Sequence, residues 1–154
     1  MIKAVRGENL EMAKLLLPKS DAKAVDSWGQ TALMYAVIRN NVEMVKILLP
    51  QSNAKAADSY ERTALMKAVR GENLEMAKIL LPKSDAKAAD KYGKTALMYA
   101  VIFNDVEMVK ILLPKSDIRA TNKWGENVID IAYKMEKRVD NDEVIKLLHM
   151  IPIE

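Results

Sequence analysis

The chain repeats itself every 32 residues. The tetrapeptide Thr-Ala-Leu-Met stands at 31–34, 63–66 and 95–98, and a Leu-Leu-Pro follows each copy, ending at Pro50, Pro82 and Pro114. A fourth copy of that ending lies at Pro18. A period of this length is one supersecondary unit copied and stacked. A unit so short cannot bury its own apolar face, so neighbours bury each other's. That fixes the architecture and narrows function to what a stacked surface can do.

Half of the 154 residues are apolar, which suits one domain with a continuous core and excludes a disordered chain. There is no cysteine, hence no disulfide framework, thiolate metal site or thiol nucleophile. The start, Met-Ile-Lys-Ala-Val-Arg-Gly-Glu, does not read as a signal peptide, and Ile2 excludes N-myristoylation. Apolar runs are broken by Lys, Glu or Asn well before the roughly 18 residues of a membrane span. A cytoplasmic address is expected, with the nucleus also compatible. The net charge of +3 is slight, and Lys and Glu alternate in every repeat.

One unit reads as two short helices. Thr63 is a good N-cap for Ala64–Arg70, with Leu65, Ala68 and Val69 on one side. Gly71-Glu72-Asn73 breaks that run. A second run, Leu74–Leu81, is apolar at helical spacing, and Pro82 stops it. Glu75 and Lys78, three apart on the outer face, can pair weakly, as can Glu43–Lys46 and Glu107–Lys110. The connection 83–94 has no helical period, and Asp90 and Gly93 mark a tight turn at its end.

The motif D-x-x-G-x-T-A-L-M occurs at Asp26–Met34, at Asp90–Met98 and, without the glycine, at Asp58–Met66. It resembles the D-x-x-G-x-T-P-L-H of the ankyrin repeat, and Val42–Leu49, Leu74–Leu81 and Val106–Leu113 are similar to that family's second helix. The resemblance implies an all-α solenoid with finger loops between helix pairs. It implies one domain over 1–154: a partial repeat 1–25, repeats 26–57, 58–89 and 90–121, and a capping repeat 122–154. There are departures. Alanine replaces the family's proline and methionine its histidine, so apolar packing replaces a Thr–His network. The loop before each finger is one residue short. Lys23, Lys55, Lys87 and Arg119 occupy the family's asparagine position, so asparagine hydroxylation has no target there. Glu61 replaces the turn glycine, at a cost of roughly 1 kcal/mol if the left-handed conformation is kept.

The ends differ from the middle. Met1-Ile2-Lys3 aligns with Leu65-Met66-Lys67, so the first unit lacks its finger; either the chain is excised from a longer array or something else covers that face. The last unit is lengthened over 134–142 and closes with Glu143–Leu148, as an altered terminal cap would.

A second period lies over the first. Residues 3–25 and 67–89 differ only at Leu15/Ile79 and Val25/Ala89. Residues 26–50 and 90–114 differ at five positions: Ser27/Lys91, Trp28/Tyr92, Gln30/Lys94, Arg39/Phe103 and Asn41/Asp105. The duplicated block is therefore 64 residues long. Three of the five differences fall on fingers and two at the end of the first helix and its turn. The resemblance implies that these are partner-facing positions. Drift in a young duplication is the other reading.

The fingers carry one aromatic in phase: Trp28, Tyr60, Tyr92 and Trp124. Such rings serve as binding hot spots; alternatively each packs on the next finger and stiffens the row. The first helices present Tyr35, Ile38 and Arg39, then Tyr99, Ile102 and Phe103, alternating with Lys3 and Arg6, then Lys67 and Arg70. With Gln30 and Lys94 from the fingers, these residues other than Lys3 and Arg6 form the candidate partner-binding set, on what the resemblance makes the concave face. An apolar stripe beside basic residues points to a protein or peptide partner with apolar anchors and acidic flanks.

Catalytic readings are weak. His149 is the sole histidine, next to Met150 at the tail, and reads as a surface or capping residue. The glycines are turn residues and form no phosphate loop. No metal-ligand spacing exists, and no cofactor is expected. A pI near 9.0 lends some weight to nucleic-acid binding, but the positive charge is interleaved with Glu and Asp rather than gathered in a stripe. An excised or engineered repeat scaffold is a further alternative. The sequence is read as a protein-interaction module without catalysis, of undetermined oligomeric state.

Overall fold

The computed structural model describes residues 1–19, 21, 23–136 and 140–150. The expected all-α repeat fold is what the chain forms. Among the described residues there are ten α-helices and no strand, only isolated bridges that close the fingers, Val25 with Thr31, Ala57 with Thr63 and Ala89 with Thr95. The helices are α1 (Ile2–Arg6), α2 (Leu10–Leu16), α3 (Ala32–Ile38), α4 (Val42–Leu48), α5 (Ala64–Arg70), α6 (Leu74–Leu80), α7 (Ala96–Ile102), α8 (Val106–Leu112), α9 (Val128–Glu136) and α10 (Asp142–His149).

Each full repeat starts its helices with the same two caps. Thr31, Thr63 and Thr95 accept from the backbone N–H of Met34, Met66 and Met98. Asn41, Asn73 and Asp105 accept from Met44, Met76 and Met108, all at 2.9 Å. A side-chain cap of this kind is worth about 1 kcal/mol. Between the two helices the chain turns through a left-handed residue. That residue is Glu8, Asn40, Glu72 or Asn104, all near φ +52 to +55°. Gly71-Glu72-Asn73 breaks the run as expected: Gly71, at φ −87°, caps α5, Glu72 makes the left-handed turn and Asn73 caps α6.

The chain forms two compact units, Met1–Asp85 and Ala86–Glu154. In the first, α1 packs on α3 and α3 on α5, each beside its own second helix. Leu33, Met34, Met44, Leu48, Leu65, Met66, Met76 and Leu80 are fully buried. Each such side chain contributes about 1.5–3 kcal/mol of transfer free energy. The buried methionines bear out the replacement of a polar network by apolar packing. Met12, the counterpart of Met44 and Met76, is 44% exposed.

In the second unit α7 packs against α8 and α9, and α10 lies on α8 and α9. Leu97, Met98, Met108, Leu112, Val128, Ala132, Val144 and Leu148 form its core. Of the lengthened stretch 134–142, residues 137–139 lie outside the described residues. The outer pairs Glu43–Lys46 (3.1 Å) and Glu107–Lys110 (2.7 Å) form as expected, and Glu11–Lys14 (2.9 Å) joins them. All are exposed, so they contribute little to stability.

Candidate partner-binding face

Every finger is built by an aspartate or asparagine folding the chain around its own side chain. Asp26 Oδ1 accepts from the backbone of Trp28 and Gln30, each at 2.9 Å. Asp58 does the same for Tyr60 and Arg62, Asp90 for Tyr92 and Lys94, and Asn122 for Trp124 and Glu126. Gly29, Gly93 and Gly125 take the left-handed conformation at φ 71–75°, and Glu61 takes it at φ 60°. The strain expected at Glu61 is therefore present. At Gly29 close approach adds to the demand for glycine, because a Cβ there would meet Ser59 N at 3.0 Å. Adjacent fingers within a unit are tied by backbone: Ser59 N–H donates to Trp28 O at 3.0 Å, and Lys123 N–H to Tyr92 O at 2.9 Å.

The second oxygen of each aspartate reaches the first helix nine residues on. Tyr35 Oη donates to Asp26 Oδ2 at 2.6 Å, and Tyr99 Oη to Asp90 Oδ2 at 2.5 Å. In the repeat between them Lys67 Nζ donates to Asp58 Oδ2 at 2.6 Å, joined by Arg62 Nη2 at 2.8 Å. This link was missed in sequence, although an acid followed by a donor nine positions later recurs three times. It corrects two expectations. Tyr99 is buried at 8% exposure rather than presented, and the Lys67 side chain is 7% exposed. Both are turned inward because the buried carboxylates of Asp58 and Asp90 need donors. Tyr35 is half-buried for the same reason.

Charge follows the geometry. Burial pushes the Asp58 carboxyl up, but the bonds from Lys67 and Arg62 outweigh it and hold its pKa well below the usual carboxylate range. Burial also holds the Lys67 ammonium below its ordinary value, with Asp58 opposing. The Tyr35 hydroxyl lowers the pKa of Asp26, and Asp26 in turn raises that of Tyr35.

The remaining candidates lie at or near the surface. In the first unit Trp28 is 63% and Ile38 53% exposed; Tyr60, Arg39 and Arg70 are exposed too, and Gln30 is half-buried. Arg6 lies over the Tyr35 ring at 5.4 Å and Arg62 over Tyr60 at 4.7 Å. In the second unit Tyr92 and Trp124 stack at 6.2 Å between centroids, yet Trp124 stays 62% exposed. Packing and presentation thus hold together in that pair. Phe103 is exposed and stacks on Tyr99 at 6.5 Å, while Ile102 and Lys94 are half-buried. The fifth difference of the duplicated block, Asn41/Asp105, is a helix cap in both copies, so structure accounts for it without a partner.

His149 Nδ1 lies 2.8 Å from the Ile145 carbonyl and Nε2 3.3 Å from Tyr133 Oη, an arrangement that packs α10 on α9. Among the described residues no group of His, Asp and Glu is placed to hold a metal ion, and no helix is long and apolar enough to cross a membrane.

Comparison with protein families matches the chain to ankyrin repeats in three overlapping copies, over residues 1–91, 52–123 and 82–151. The chain belongs to the ankyrin-repeat family. Its members are generally protein–protein interaction modules and typically do no catalysis. No curated protein matches it closely enough to count as a relative.

Proposed function

We propose that this chain is a non-catalytic module of the cytoplasm that binds a protein or peptide on its finger and first-helix face. The partner carries apolar anchors with acidic flanks. The observation that carries this reading is the pair of tryptophans, Trp28 and Trp124. Both are more than 60% exposed on turns whose backbone is fixed by internal hydrogen bonds. A large ring held out on a rigid support loses little entropy on binding. Nucleic acid fits less well, since Lys67 is turned inward onto Asp58 and the other cations are interspersed with acids. The five repeats, 1–25, 26–57, 58–89, 90–121 and 122–154, are read as one domain serving this surface.

The test is affinity capture with the whole chain in three forms: wild type, a Trp28→Ala/Trp124→Ala variant, and an outer-face Glu43→Ala/Lys110→Ala control. Partners held by wild type and the control but lost from the tryptophan variant support the reading. Equal retention by all three folded forms overturns it.

A further inference from the structure

The second unit holds a cleft of about 200 Å³ between α7 and α9, beneath the fingers. Its apolar part is Ile102, Ile131 and Met135, and its charged rim is Lys94, Glu126 and Lys134. The cleft is smaller than the roughly 300–1,000 Å³ of small-molecule and cofactor sites. One side chain is the size of occupant it suits. The rim is set in advance: the backbone of Lys94 is held by Asp90 at 2.9 Å, and that of Glu126 by Asn122 at 3.1 Å.

The charges on the rim do not cancel. Glu126 is engaged by Lys134 at 2.7 Å and by the Asn122 amide at 2.9 Å. Lys94 forms no ion pair among the described residues; its Nζ lies over the rings of Tyr99 at 5.8 Å and Trp124 at 5.6 Å. Among the rim side chains themselves two lysines face one glutamate, so the rim is net positive. The duplicated block sharpens this. The copy of Lys94 is Gln30, which spends its amide on Tyr35 Oη at 3.4 Å, and the copy of Lys91 is Ser27. Two of five differences thus add positive charge to the finger above this cleft, and a third puts Phe103 beside Ile102.

We propose that the α7–α9 cleft receives one aliphatic side chain of the partner, and that Lys94 pairs with a carboxylate next to that side chain. This rests on the finger and first-helix face being the binding face, and adds where the anchor sits and what flanks it.

The probe is a synthetic peptide, Asp-Glu-Leu-Asp-Glu blocked at both ends, titrated into the whole isotope-labelled chain with backbone-amide and isoleucine-methyl NMR as readouts. Shifts at Ile102 and Ile131 are expected. Replacing the peptide leucine by serine is expected to cost more than about tenfold in affinity. Lys94→Gln, which the chain already accommodates at Gln30, is expected to cost about three- to fivefold, as is an Asn/Gln version of the peptide. Equal affinity for Lys94→Gln and wild type overturns the acidic flank. Shifts at finger residues with Ile102 and Ile131 unmoved overturn the cleft and leave the face standing. Shifts that map to Ile47, Ile79 and Ile111 on the second helices overturn both.

Discussion

The finger of residues 58–67 and the fingers of 26–35 and 90–99 share one turn and close it with different chemistry. In all three, the first oxygen of an aspartate gathers two backbone amides. In two, the second oxygen accepts from a tyrosine hydroxyl; in the third it meets a lysine and an arginine. The repeat thus fixes where a donor must arrive and leaves open whether the donor is neutral or charged. A neutral donor leaves a formal negative charge on the finger. The two charged donors more than cancel it, at the cost of desolvating two more groups.

The sharpest way to break the comparison is to remove the charge on Asp58. Asp58→Asn keeps a turn-forming oxygen but leaves the Lys67 ammonium, with its side chain 7% exposed, without a counterion. A loss of about 3 kcal/mol is expected in urea unfolding, near the low end for a broken buried pair because Arg62 stays partly in water. The same change at Asp26, where the partner is a hydroxyl and the site is more open to water, is expected to cost clearly less. Equal losses at the two sites would falsify the distinction. Lys67→Tyr rebuilds the tyrosine closure in the middle finger, and its stability is expected to stay within about 1 kcal/mol of wild type.

Acid titration reads the same difference. The pKa of Asp58 is depressed in the folded chain, so its contribution is present above its unfolded value of about 3.9 and fades as pH falls below that. The wild-type melting temperature should drop between about pH 4 and pH 2. Lys67→Tyr should flatten that drop.

The second effect concerns the duplicates 26–50 and 90–114. Phe103→Arg restores the residue of the other copy, Arg39, so the fold is expected to be kept, with only the loss of the ring stack on Tyr99. If Phe103 anchors a partner, affinity should fall by about 1–2 kcal/mol, measured by calorimetry once a partner is in hand. Unchanged binding removes Phe103 from the site. Trp28→Ala should behave likewise, since no ring contact holds it among the described residues. Tyr92→Ala should lose stability as well, because its ring stacks on Trp124.

These cases show what the sequence made legible. The period, the threonine caps and the proline stops are local chemistry written in every copy, and they led directly to paired helices and a family. The left-handed strain at Glu61 was legible because two sister fingers carry glycine at that place. The inward turn of Tyr99 and Lys67 was not. Helical spacing put both on the surface of the first helix, whereas the pull comes from a carboxylate nine residues earlier across a turn. The cleft beside Ile102 was hidden for a similar reason. Its other wall comes from α9, in a repeat whose sequence departs from the rest, so no in-phase comparison could supply Ile131 or Met135.

The smallest effect separates backbone strain from close approach. Glu61 and Gly125 occupy the same finger position as Gly29 and Gly93, and all four share φ between 60° and 75°. Glu61→Gly should relieve the left-handed penalty and raise stability by up to about 1 kcal/mol. The reverse change is not one experiment but two. At Gly125 a Cβ meets nothing within 4 Å, so Gly125→Glu should lose only the strain of that conformation, about 1 kcal/mol. At Gly93 a Cβ would stand 2.9 Å from Asn122 Cα, which is backbone and cannot rotate away. Gly93→Glu should therefore cost clearly more than Gly125→Glu in the same unfolding assay. If the two glycines respond alike, conformation alone fixes the residue at this place. If Gly93 is the more sensitive, the glycine is also needed to let the next finger lie against it.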